Sequence, residues 1–228
     1  MINCKPMTLR EACAILDRDI AEAEVGRVAS IEFIVAKNVV INAIEENLDI
    51  IEERKFMKTL IVVDMQNDFI TGALGSQEAV AIVPNVKDKI QHYVDNGWNV
   101  IFTRDTHHTN YLKTSEGKNL PVVHCVEGTH GWEVADGLEV PNCTYINKPS
   151  FGWMYWVYQP LHGVEEIEIV GVCTDICVVS NALILKATFP ETKITVDASC
   201  CAGVTPETHK AALETMKMCQ INITNEEM

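Results

Sequence analysis

Ile167-Glu168-Ile169-Val170-Gly171-Val172-Cys173-Thr174-Asp175-Ile176-Cys177 begins as an apolar run, ends in a cysteine-bearing turn, and leads into a helix-forming stretch over 178–187. A buried strand delivered straight into a helix is one step of a parallel α/β sheet. Cys177 therefore sits where unpaired backbone N–H groups and the helix dipole lower a thiol pKa and can hold an oxyanion. The same position also suits a buried structural thiol, since free cysteine is among the most buried residue types.

Working outward, strands are expected at 59–63, 99–103, 143–147, 167–170, 193–197 and 221–224. Helices are expected near 79–96, stopped by Asn96-Gly97, at 176–188, and from Pro206 to about Cys219. Thr205 is a suitable N-cap for the last, with Pro206 in its first turn. This alternation argues an α/β fold, a three-layer sandwich with a parallel sheet covered by helices on both faces.

Ligands in such sheets sit outside the carboxyl ends of the strands. The run Thr59-Leu60-Ile61-Val62-Val63 ends at Asp64, and Cys143-Thr144-Tyr145-Ile146-Asn147 ends at Lys148. Three strand ends thus offer a carboxylate, an ammonium and a thiol. Together they form an activated nucleophile, with Asp64 taking the thiol proton and Lys148 favouring the thiolate. Taken singly, each is as readily a solvated surface residue.

The segments VVDMQNDF (62–69), NKPSFG (147–152) and GVCTDICV (171–178), in that order, resemble the isochorismatase-like cysteine hydrolases, the family that contains the nicotinamidases. The resemblance runs from about Met57 to Thr224. It implies a six-stranded parallel sheet and an Asp-Lys-Cys triad at Asp64, Lys148 and Cys177. It also implies a cis peptide before Cys173, with the N–H groups of Cys173 and Cys177 forming an oxyanion hole. The implied reaction is amide hydrolysis through a thioester with release of ammonia, nicotinamide to nicotinate being the leading case. A metal-free relative acting on a carbamoyl or ureido amide stays open, as does a non-catalytic assembly protein on the same fold. Isochorismatase chemistry fits less well, because vinyl-ether hydrolysis does not use a cysteine nucleophile.

Asp105 and His107 follow the strand ending at Arg104, and Glu116 and His124 lie farther on. Two imidazoles with one or two carboxylates suit a divalent transition metal such as zinc, manganese or iron. Asp105, His107 and His124 match the metal site that the resemblance implies, and Glu116 matches a fourth ligand that some members supply as Glu and others as His. Loop histidines and a satisfied core histidine are the plainer account. One departure concerns the substrate: nicotinamidases commonly carry an aromatic and two prolines before the second metal histidine, where this chain has Leu120-Pro121-Val122-Val123. Phe69 matches the family's other ring-contacting aromatic, and Phe151, Trp153, Tyr155 or Trp156 are candidates for the pocket wall.

At 228 residues and 47% hydrophobic content, the chain can bury a full core. No stretch approaches the roughly 20 apolar residues of a membrane span, and the N-terminus lacks the basic start and apolar core of a signal peptide. Nine cysteines, with Cys200 and Cys201 adjacent, fit reduced thiols and a cytoplasmic location. A net charge of −14 disfavours nucleic acid and anionic membranes as partners. Without a Gly-x-Gly-x-x-Gly or phosphate-loop pattern, no nucleotide cofactor is expected. The long segment from Asp105 to Asn142 is of a kind that is usually functional or disordered, and its His, Glu and Gly content favours the first.

Residues 1–56 read as an added helical hairpin preceding a hydrolase domain over 57–228. Thr8-Leu9-Arg10-Glu11 has the form of a capping box, Gly26 breaks the first helix, and Ile34, Ile41, Ile44, Leu48 and Ile51 mark an apolar face on the second. That face suits homo-oligomer assembly, the alternative being an amphipathic pair packed on its own domain.

Overall fold

The structure, a computed structural model, describes residues 57–226. The expectations for the N-terminal hairpin and its role in assembly lie outside these residues.

β1 (Lys58–Val63) is buried from Thr59 onward. Such a strand needs cover on both faces, which is why it reads as a continuous apolar run rather than an alternating one. It is flanked by β2 (Asn99–Asp105) and β4 (Glu166–Val172), with β3 (Thr144–Lys148), β5 (Lys193–Ala202) and β6 (Asn222–Thr224) outside them. The order is β3-β2-β1-β4-β5-β6, and every pairing is parallel. The expected six-stranded parallel sheet is present.

Helices fill both faces. Leu60 and Val62 point to one side, where they join Val100, Phe102 and residues of α2 (Gln77–Asp95), among them Ile82, Val86 and Ile90. Ile61 and Val63 point to the other, against α4 (Val179–Thr188) and α5 (Pro206–Met218), through Ala182, Leu185, Leu213 and Met216. Each large aliphatic side chain so buried contributes about 1.5–3 kcal/mol relative to exposure. Two short helices, α1 (Asn67–Ile70) and α3 (Ser115–Asn119), belong to the loops at the carboxyl end of the sheet.

Strand order reverses between β1 and β4, so the chain leaves these neighbours in opposite directions and opens a crevice beyond their carboxyl ends. Register brings the ends together there: Val63 lies opposite both Thr103 and Gly171, and Asp105 lies opposite Lys148. Gly171 has φ of +119°, and a Cβ at this position would collide with the Val63 carbonyl oxygen. Only glycine permits the close approach of β4 to β1.

Several boundaries differ from expectation, β2 and β4 each running two residues further. α4 starts at Val179 rather than 176, because Thr174–Val178 form a π-helical turn that carries Cys177. β5 continues to Ala202, five residues past 197 in sequence, taking Ser199, Cys200 and Cys201 into the sheet. Its polar Asp197 is compatible with that because Lys89, Ser199 and Asn225 bond its carboxylate. α2 begins at Gln77, two residues early, where the Ser76 hydroxyl accepts the Ala79 N–H at 3.0 Å. The long segment after β2 is ordered into short 3-10 turns, α3 and isolated bridges. Among the described residues, no helix is long and apolar enough to cross a membrane.

Candidate active site

Asp64 is the first residue beyond β1 and adopts a left-handed backbone, φ +49°. Its Oδ1 accepts the Thr103 hydroxyl at 2.7 Å. Lys148, the last residue of β3, places Nζ 2.6 Å from Asp64 Oδ2. The same ammonium donates to Cys177 Sγ at 3.5 Å and to the Ser150 carbonyl at 3.1 Å, and lies 3.6 Å from Asp105 Oδ1. Asp64 and Lys148 are wholly buried and Cys177 is 5% exposed. The structure therefore brings the carboxylate, ammonium and thiol of the three strand ends into one cluster. The peptide between Val172 and Cys173 is cis.

Burial dominates the electrostatics. It lowers the Lys148 pKa, but Asp64, Cys177 and Asp105 more than offset this and hold the ammonium charged. Burial raises Asp64, against the lowering effect of Lys148. Burial and then the Asp64 charge push the Cys177 thiol well up, with Lys148 opposing. The low thiol pKa expected from a strand-to-helix turn is thus corrected. Cys177 lies buried inside a π-turn, and its cationic neighbour is engaged more closely by Asp64.

Beside this cluster, ligand atoms of Asp105, His107, Glu116 and His124 all lie within 4.8 Å of one another. His107 Nε2 is 3.0 Å from Asp105 Oδ2 and 3.4 Å from Glu116 Oε1. His124 Nε2 is 3.5 and 3.8 Å from the same two atoms. His124 Nδ1 donates to the Val122 carbonyl at 2.8 Å, which fixes the ring with Nε2 toward the acids. Among the described residues, His107 Nε2 is buried without a hydrogen-bond partner. A buried orphan nitrogen facing another imidazole and two carboxylates fits a divalent transition metal. Thr114 sets Glu116 by capping α3, its hydroxyl accepting the Gly117 N–H at 3.0 Å.

Both clusters open on a cavity of about 540 Å³ whose wall includes Phe69, Leu120, Phe151, Cys173, Ile176 and Val204. Of the three residues expected to contact substrate, Phe69 and Phe151 line this cavity and Trp153 does not. Its backbone N–H binds Asn181 Oδ1 at 2.9 Å, and its ring packs against the core. Trp156 is fully buried and bonds the same oxygen through Nε1 at 3.1 Å, while Tyr155 is exposed.

Residues 58–227 match the family model for the Isochorismatase domain. The chain belongs to this family. Over 187 residues it is 28% identical to the nicotinamidase/pyrazinamidase of Mycobacterium tuberculosis, covering 73% of this chain and 98% of that one. It is 31% identical over 184 residues to a probable inactive nicotinamidase of Arabidopsis thaliana, covering 72% and 90%. The solved pyrazinamidase of Pyrococcus horikoshii in complex with zinc superposes with a TM-score of 0.63 at 29% identity, covering 73% and 98%.

In this isochorismatase-domain chain, several positioning residues escape sequence reading. Asn181 bonds the Cys177 carbonyl at 2.8 Å, the Phe151 carbonyl at 3.1 Å and both tryptophans, so one buried amide ties the cysteine turn to the cavity wall. The available signal was an Asn four residues after Cys177 in a largely apolar helix. Asp68 Oδ2 accepts the Cys125 N–H at 2.7 Å, next to His124, and gave no signal beyond its place in the DMQNDF run.

Proposed function

We propose that this protein hydrolyses the amide of a small nicotinamide-like compound to the acid and ammonia, with nicotinamide to nicotinate as the leading reaction. The observation that carries this reading is the buried Lys148 ammonium bridging Asp64 and Cys177, the latter lining a cavity together with Asp105 and His124. Names of relatives support the substrate class, since nicotinamidase and pyrazinamidase recur among chains covered nearly end to end.

Asp64 takes the Cys177 proton as the thiol attacks, so the raised pKa of both groups suits a transfer made only when substrate is in place. Sulfur bonds to the amide carbon, and the carbonyl oxygen takes the electron pair, stabilised by the N–H groups of Cys173 and Cys177. Asp64 returns the proton to the departing nitrogen, the C–N bond breaks, and ammonia leaves a thioester. Water then attacks with Asp64 as base, and the acid departs as the thiol reforms. Lys148 holds Asp64 in place and balances the charge. Phe69 and Phe151 form cavity walls suited to a flat ring.

Asp105, His107, Glu116 and His124 would hold a divalent metal. Such an ion supplies a Lewis-acidic position able to orient a ring nitrogen or a water molecule. This set of four candidate ligands favours the reading over a metal-free carbamoyl or ureido hydrolase. The family match beginning at residue 58 supports a hydrolase domain over 57–228, preceded by a separate segment.

The test is ammonia release from nicotinamide by zinc-replete protein with Cys177→Ala alongside. Release that vanishes in the variant is expected. Release that persists in Cys177→Ala would remove the covalent route, and an inert wild type would remove the substrate assignment.

A further inference from the structure

β1 stops pairing with β2 at Val63 and Thr103, although β2 runs on to Asp105. The Asp64 N–H still reaches the Thr103 carbonyl at 3.2 Å. Two residues on, the Asp105 main chain turns the same edge toward β1, and β1 has no backbone left to offer. A side chain takes its place. Gln66 Oε1 accepts the Asp105 N–H at 2.7 Å, and Gln66 Nε2 donates to the Asp105 carbonyl at 2.9 Å. The second Nε2 proton goes to the Trp132 carbonyl at 2.8 Å.

We infer that Gln66 is a positioning residue that continues the β1–β2 ladder with its side-chain amide and thereby aims the Asp105 carboxylate at the metal cluster. This rests on Asp105 being a metal ligand. A primary amide is the one neutral side-chain group that offers an acceptor and two donors in one plane. It satisfies the Asp105 peptide without competing for the carboxylate, which stays available to His107, His124 and Lys148. Gln66 is itself fixed: it is wholly buried, and its own N–H binds the Asp64 carbonyl at 2.7 Å. One residue therefore ties the backbone of Asp64 to that of Asp105. Glutamate at this position has the same shape but no donor, and would set a carboxylate against two carbonyl oxygens. Asparagine keeps the chemistry and is one methylene short.

The experiment measures zinc affinity of metal-stripped wild type, Gln66→Glu and Gln66→Asn by competition with a chromogenic chelator, beside thermal unfolding of each metal-free protein. Loss of a residue that orients a metal ligand typically weakens binding about 10- to 100-fold. Both variants are expected to weaken in that range while the metal-free forms still unfold cooperatively. A purely structural role lowers the unfolding temperature and leaves zinc affinity unchanged, and that result overturns the inference. Should neither variant be folded at the assay temperature, Gln66 is a folding determinant and the positioning role is likewise overturned. A wild type that binds no zinc instead overturns the metal-ligand reading on which the inference stands.

Discussion

Lys148 Nζ lies 2.6 Å from Asp64 Oδ2, with both side chains wholly buried. Two opposite charges so placed are stable only as a pair, because either one alone keeps its full desolvation penalty. Lys148→Met is expected to lower unfolding free energy by about 3–5 kcal/mol in urea titrations. Adding Asp64→Asn to that variant should recover much of the loss while ammonia release stays at least about 100-fold below wild type. A double variant no more stable than the single one would mean that the pair is not the source of the cost.

Gly171 joins the two central strands through a backbone that a side chain cannot enter. Gly171→Ala pushes β4 from β1 directly beside Asp64, combining a strained φ with a clash against Val63. A loss above about 4 kcal/mol is expected, in the exceptional range for single substitutions. Thermal unfolding measures it, and an alanine variant as stable as wild type would contradict the φ of +119°.

What the sequence revealed follows from which forces are local. The apolar runs ending at Val63 and Val170 were readable because a parallel strand buried on both faces has no polar alternation to confuse. Asp64 was readable as a strand-end residue for the same reason, whereas Lys148 ends the half-exposed edge strand β3 and Cys177 lies in the turn beyond β4. The end of β5 was not, since Asp197 and Ser199 look like turn residues until Lys89, 108 positions earlier in the numbering, supplies a partner. Gln66 was silent, and Asn181 nearly so, because most of the groups they satisfy come from other elements. The Cys177 pKa was misjudged because the dipole argument is local, whereas burial and the Asp64 charge are properties of the assembled interior.

Leu120 stands on the cavity wall near Glu116 and His124, in the stretch where an aromatic was expected from the family resemblance. It is 38% exposed, so the rim has room for a larger group. Leu120→Phe is expected to lower KM for nicotinamide about two- to tenfold, the equivalent of one aromatic pair, with kcat unchanged. A rise in KM would place Leu120 away from the ring.

Far from the cavity chemistry, Lys89 bridges Glu168 at 2.7 Å and Asp197 at 2.8 Å. Burial alone would raise the Asp197 pKa, and the bonds from Lys89, Ser199 and Asn225 outweigh it, leaving the carboxyl below its usual 3.8. A carboxylate depressed in the folded state stabilises the fold above its unfolded pKa, and that contribution disappears as pH falls through the folded value. Asp197→Asn should therefore cost about 1–3 kcal/mol at pH 7. The gap between wild type and variant should narrow progressively as pH falls below 3.8, where the unfolded chain binds the proton first. Urea unfolding of both proteins between neutral and acid pH measures it. A gap that stays constant across that window would mean that Asp197 contributes by packing and hydrogen bonding alone, with no share from its charge.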